Sequence, residues 1–364
     1  MRRVLWGAVF ILCAAPPAAF LFAWSGLYNV AASSGHLAVV RWFLQFGLQN
    51  SVETYSTGIE VPSLQDPALA ERGMLYFQSG CAPCHGAPGL PRSPVAVQML
   101  PPPPELTNAA QDWTEAQLFR IVKHGIKYTG MPAWQAPTRD DEVWALVAFL
   151  RDMRHISPGE YLAATRSTRS GAGEVRAISD EGLIIGPFAC AGCHGTRGEG
   201  SPLGGVPRIA GQKAAYLEMA LEDFAAGARA SGMMQPPVLN LDQQQRSGLA
   251  RYYASISLDL PLNGESARAA EALLQRGATL AEQGALSRGI PACSACHGKD
   301  GRASENIAQY PALAGQHAGY LANQLRLFRA GNRGGRLAEL MSAASRNLSD
   351  EDIQAVALYY SRLK

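Results

Sequence analysis

The sequence predicts an all-α protein, with an N-terminal transmembrane helix followed by three small helical domains. Three observations carry this reading. The string Cys-x-x-Cys-His occurs three times at near-domain spacing, as Cys81-Cys84-His85, Cys190-Cys193-His194 and Cys293-Cys296-His297. Apolar residues recur at helical spacing along the 364-residue chain, and strand signals are sparse. The chain opens with an unbroken apolar run.

That run, Val4 to Trp24, has about the ~20 residues needed to cross a bilayer. Arg2 and Arg3 before it place the N-terminus in the cytoplasm by the positive-inside rule, and Trp6, Trp24 and Tyr28 suit the two interfaces. The rival reading is a cleaved signal peptide, with small residues at Ala14-Ala15 and Ala18-Ala19. Pro16 and Pro17 are awkward for cleavage, and the apolar run continues beyond them. Cys13 reads as an apolar filler of the span. Val39 to Leu48 is rich in aromatic and aliphatic residues. It reads either as an amphipathic helix lying in the membrane interface or as a helix packed on the first domain or on a partner subunit.

Six of the seven cysteines sit in the three motifs, so disulfides cannot form the framework. The motif is the attachment signature of c-type haem: two thiols add to the vinyl groups and the adjacent imidazole reaches the iron. Structural zinc is the competing reading. Zinc sites take two Cys-x-x-Cys knuckles, or one plus distant histidines. Here each knuckle runs directly into His with no second knuckle nearby. A net charge of +2, with 17% charged residues, argues against a nucleic-acid binder.

The expected organisation is an anchor and interfacial segment over 1–60 and domains over 61–160, 175–258 and 265–364. In the first domain, helices are expected from Asp66 to Phe77, Thr114 to His124 and Arg139 to Met153, with Pro101 to Pro104 as an extended loop. The second and third domains are an internal duplication. Pro207-Arg208-Ile209-Ala210-Gly211-Gln212 with Tyr216-Leu217, Leu221, Phe224, Gly227 and Arg229 returns, 104 residues later, as Pro311 to Gln316 with Tyr320-Leu321, Leu325, Phe328, Gly331 and Arg333. Both copies end in a helix carrying a tyrosine pair, Tyr252-Tyr253 and Tyr359-Tyr360. Ser349-Asp350-Glu351-Asp352 reads as a cap and acidic first turn. Ala163 to Gly173 reads as one linker and Leu258 to Glu265 as another.

The sixth axial ligand decides what each haem does, and a Met thioether suits electron transfer. Met131, in a Gly-Met-Pro turn, is the first-domain candidate, with His124 as rival and Met99 and Met153 as packing residues. Met341 lies seven residues before Leu348 and Met234 seven before Leu241. They are the candidates in domains three and two, with Met233 the rival to Met234 and Met219 read as core. Arg208, Arg229 and Arg333 are read as propionate ligands or as structural arginines. His36, His155 and His317 are read as surface or capping residues. Gly86, Gly195 and Gly298 are read as allowing close backbone approach to haem.

The segment Cys81 to Arg151 resembles class I cytochrome c. Domains two and three resemble the dihaem cytochrome c4 family, on their haem motifs, the Gly211-Gln212-Tyr216 and Gly315-Gln316-Tyr320 stretches, and Met234 and Met341. The resemblance implies three covalently bound haem c groups, with Cys81, Cys84, Cys190, Cys193, Cys293 and Cys296 as attachment points. It implies His85, His194 and His297 with Met131, Met234 and Met341 as axial pairs. It also implies two c4-type domains packed face to face. The expected function is electron transfer in a respiratory chain, from a dehydrogenase or quinol-oxidising complex to an acceptor such as a terminal oxidase. The expected location is the bacterial inner membrane, single-pass, with the haem domains in the periplasm. The alternative is a haem peroxidase or small-molecule reductase with one open sixth position, for which domain two is the soft spot.

Overall fold

The computed structural model describes residues 2–165, 188–258, 269–303 and 308–363. Among them there is no strand, only helices and two isolated bridges, Ala87 with Leu90 and Ala285 with Ile290. Most of the two expected linkers, Ala163 to Gly173 and Leu258 to Glu265, lies outside the described residues.

The apolar opening run is a helix, Arg2–Trp24, that keeps Pro16 and Pro17 inside it. Among the described residues no helix is long and apolar enough to cross a membrane. The side chains of Val4, Ala8, Ile11 and Leu12 in this helix fall outside the described set. A second helix, Ala38–Ser56, buries Val52 and Ser56 at its C-terminal end. It packs against helix Glu115–His124, where Arg120 stacks over the Tyr55 ring at 5.0 Å. Its N-terminal half leaves Trp42, Phe43 and Phe46 exposed.

The first haem-motif unit is built on a crossing of helices Pro67–Gly80 and Asp140–Asp152. Asp66 caps the first by accepting from the Ala68 N–H, with Pro67 supplying a preset φ at the first turn. The second begins with Asp140, Asp141 and Glu142 at its positive end. The helices approach so closely that a Cβ on Gly73 would lie 1.9 Å from the Ala145 carbonyl oxygen. Phe77, Leu118, Phe119, Leu146, Phe149 and Tyr161 fill the core around that crossing.

The third unit repeats the device. Helices Ala269–Glu282 and Asp350–Arg362 cross at Gly277, where a Cβ would meet the Ala355 carbonyl oxygen at 2.2 Å. Ser349 and Asp352 form a capping box, and Ile353, Val356, Ala357 and Tyr360 are buried. In the second unit, helices Ala214–Ala225 and Gln243–Ser255 pack Leu217 against Leu249, Ala250 and Tyr253. Helix Ala214–Ala225 matches helix Ala318–Arg329 at the sequence offset, and both tyrosine pairs are edge-to-face, at 5.0 and 5.3 Å.

Candidate functional site: a shared cavity with three histidines

A cavity of about 910 Å³ is lined by all six motif cysteines and all three motif histidines. Each histidine ends a short helix: Ala82–His85, Phe188–His194 and Ser294–His297. The glycine after it takes a positive φ of 69°, 79° or 77° and donates its N–H back to close the turn. That conformation requires glycine. So Gly86, Gly195 and Gly298 terminate the motif turn, and none of the three is among the residues lining the cavity.

All three imidazoles are held alike. His85 Nδ1 lies 2.9 Å from the Pro104 carbonyl oxygen, His194 Nδ1 2.8 Å from that of Pro207, and His297 Nδ1 3.1 Å from that of Pro311. A carbonyl only accepts, so Nδ1 carries the proton and the Nε2 lone pair is left for a metal. Burial pulls all three histidines below their usual range, against the opposing carbonyl bonds. The rings are therefore neutral, as an iron ligand must be.

The donor set fits haem better than a bare ion. Among the described residues no three His, Cys, Asp or Glu side chains converge on a point that could hold a metal. Burial pushes the Cys81 thiol up to about 12 and the Cys190 and Cys293 thiols to about 11. One imidazole per site is what a macrocycle that brings its own four nitrogens needs.

Glu142 and Asp223 on the cavity wall pair with Arg139 and Arg336, whereas two further lining arginines have no carboxylate. Arg229 reaches Tyr320 Oη and Gln324 Oε1, both at 3.3 Å, and Arg333 reaches Tyr216 Oη at 3.3 Å. Each guanidinium sits over a phenylalanine ring, Phe224 at 4.5 Å and Phe328 at 4.3 Å. Among the described residues neither forms an ion pair. Burial, followed by the neighbouring Arg229 charge, pushes Arg333 below its usual range. Inward-facing cations of this kind suit a carboxylate-bearing ligand. Arg208 is different: its guanidinium bonds the Glu199 and Gly315 carbonyls, which makes it an interdomain tie.

Met131, Met233, Met234 and Met341 all line the cavity, and so does Met219. His124 is exposed and is not among the lining residues. Met153 is buried in the first core, and the Met99 methyl end abuts Gly130, where a Cβ would come within 1.9 Å of Met99 Cε. His36 bonds Tyr28 and His155 bonds Arg154, both away from the cavity. His317 stands at the N-cap of helix Ala318–Arg329, packed against Gly200 and Gly204.

Sequence reasoning missed three groups. The proline carbonyls were legible only as a shared offset, Pro207 and Pro311, in the repeat. Gln212 and Gln316 were visible as repeated letters without a role. Glu142 and Ser231, which join the first and second units, had no signal at all.

Residues 68–150 match the family model for cytochrome c oxidase, cbb3-type, subunit III, and residues 187–257 and 274–364 match that for cytochrome c. The thiosulfate dehydrogenase electron acceptor of Stutzerimonas stutzeri is 40% identical over 177 residues, which are 48% of this chain and 79% of that protein. The chain is a multi-haem c-type cytochrome. The cytochrome is also 35% identical to cytochrome c4 of Thiocapsa roseopersicina, over 48% of this chain and 86% of that one. A solved structure of reduced recombinant cytochrome c4 from Pseudomonas stutzeri covers 49% of this chain and 95% of its own at 33% identity, with a TM-score of 0.44. These relatives account for about half of this cytochrome. The family establishes covalently bound haem c and electron transfer between redox partners.

Proposed function

We propose that this cytochrome carries three haem c groups in series and passes electrons from a dehydrogenase to an oxidase. The observation that carries the reading is the shared cavity: His85, His194 and His297 all line it, each with its Nε2 free. Cys81 and Cys84, Cys190 and Cys193, and Cys293 and Cys296 are the attachment pairs. Met131, Met234 and Met341 are the sixth ligands, and each lines the same cavity. His/Met ligation gives low-spin haems suited to carrying electrons.

The two halves suggest a direction. About half of the chain is similar to proteins named as electron acceptors of thiosulfate dehydrogenase, and residues 187–257 and 274–364 match the cytochrome c family, so we place electron entry in domains two and three, from a dehydrogenase of that kind. Residues 68–150 match a subunit family of a cytochrome oxidase, so electrons leave by domain one. The apolar run Val4 to Trp24 with Arg2 and Arg3 before it is the sequence feature behind our reading of an inner-membrane anchor with the haem domains in the periplasm, although no described helix is long and apolar enough to cross a membrane.

A pyridine haemochrome assay against protein mass tests the count: three haems per chain are expected, and two would remove one domain from the relay. Rapid mixing with thiosulfate dehydrogenase and thiosulfate tests the donor. Full haem reduction within the turnover time supports the reading, and reduction only by a quinol-oxidising complex overturns it.

A further inference from the structure

Gln212 and Gln316 occupy the same position of the repeat, 104 residues apart, and both are buried. Each reaches out of its own domain. Gln316 Oε1 accepts the Arg208 N–H at 3.0 Å while its Nε2 donates to the Arg208 carbonyl at 2.8 Å. Gln212 Oε1 accepts the Ala312 N–H at 2.7 Å while its Nε2 donates to the Ala312 carbonyl at 2.9 Å. Each carboxamide is thus a two-point clamp on one residue of the other domain. Each Oε1 also accepts the N–H of the residue following its own glutamine, His317 at 3.0 Å and Lys213 at 3.3 Å.

The clamped residues follow the two prolines. The Arg208 N–H and the Pro207 carbonyl belong to one peptide unit, and that carbonyl accepts from His194 Nδ1 at 2.8 Å. The Ala312 N–H and the Pro311 carbonyl belong to another, which accepts from His297 Nδ1 at 3.1 Å. A peptide unit is conjugated, so an acceptor on its N–H adds negative charge to its oxygen. Hydrogen bonds in such a chain strengthen one another. Two crossed chains result: Gln316 to the 207–208 peptide to His194, and Gln212 to the 311–312 peptide to His297. Among the described residues no side chain from another domain bonds the Pro104–Glu105 peptide, so His85 has no counterpart.

We infer that each domain of the pair sets the ligand strength of the other's histidine, with Gln316 as a positioning residue for His194 and Gln212 for His297. The inference rests on reading those histidines as haem ligands. A more negative proline oxygen draws the Nδ1 proton, makes the imidazole a stronger donor and favours ferric over ferrous iron. The contact between domains two and three therefore holds both reduction potentials down, and parting the domains raises them together.

The test is a redox titration of the full-length protein, wild type and the Q316L and Q212L variants, with each haem followed by its own methyl NMR resonances. Q316L is expected to shift the reduction equilibrium of the domain-two haem threefold to tenfold towards the reduced form, the tenfold end being ~59 mV for one electron. The domain-three and domain-one haems stay put. Q212L produces the mirror result. Equal shifts in both haems, a shift confined to the substituted residue's own domain, or no shift overturns the inference. Q316E, which keeps an acceptor, is expected to leave the domain-two potential at or below wild type, and a rise there also overturns it. A pyridine haemochrome count on every variant separates the two levels of argument. A chain without haem on domains two and three overturns the functional reading itself, whereas a loaded chain without the crossed pattern overturns this inference alone.

Discussion

Ser231 of the second domain donates its hydroxyl to the Glu142 carboxylate of the first at 2.6 Å, across 89 residues of sequence. The same hydroxyl oxygen accepts the backbone N–H groups of Met233 and Met234, at 3.3 and 3.1 Å. Glu142, only 1% exposed, also accepts from the Gly232 N–H at 2.8 Å and from Trp134 Nε1 at 3.0 Å, and pairs with Arg139 at 3.2 Å. Trp134 lies three residues after Met131. One buried carboxylate thus pins together the loops that carry the candidate methionines of two domains. Gly232 is needed at that seam, since a Cβ there would lie 2.5 Å from the Trp134 ring.

Glu142→Ala strands the Ser231 hydroxyl, the Gly232 N–H and the Trp134 indole N–H together, while Arg139 keeps its two-point pair with Asp141 at 2.7 and 3.0 Å. The expected cost is about 1–3 kcal/mol, the range for leaving buried donors without their acceptor. Denaturant unfolding followed by haem absorbance measures it, and a loss below about 1 kcal/mol would mean the seam is solvated.

Met233 and Met234 both face the cavity, and Ser231 holds the backbone of both. Met234→Ala is expected to give one haem that binds carbon monoxide and to lose one third of the methionine-to-iron charge-transfer band. Met233→Ala is expected to do neither. Carbon monoxide binding by the unaltered protein would instead favour a peroxidase or reductase.

His317 is held down to about 4 by burial and by the Arg208 charge, against a weak opposing contact with the Glu199 backbone. A histidine depressed from an ordinary value near 6.5 binds fewer protons folded than unfolded, so stability falls as pH drops from about 6.5 through about 4. The full effect is up to about 3 kcal/mol, from ~1.36 kcal/mol per pKa unit. His317→Leu is expected to flatten that part of the stability-pH curve, read from thermal midpoints between pH 4 and pH 7. An unchanged slope would assign the acid loss to other groups.

Gly73→Ala and Gly277→Ala place a methyl group where a carbonyl oxygen already stands, at 1.9 and 2.2 Å. Overpacking costs about 1–3 kcal/mol where side chains can shift, and a helix backbone shifts less readily, so the upper end is expected. Separate melting of domains one and three by calorimetry checks each variant, and a change under about 1 kcal/mol would show that the helices can part without penalty.

The sequence by itself determined the local features of this cytochrome. Cys-x-x-Cys-His needs only adjacent residues to define attachment points. Ser349 with Asp352, and Asp66 before Pro67, fix helix starts through bonds within one turn. The repeat displayed its own register, because two copies of one structural problem carry the same residues. Only the tertiary structure decided how Glu142 meets Ser231, how Gln316 meets the peptide beside Pro207, and that Arg208 ties domains while Arg229 and Arg333 face the cavity without a carboxylate. Those relationships depend on groups 89 to 108 residues apart. No periodicity or spacing rule reaches that far, since which surfaces meet is settled by packing three folded units together.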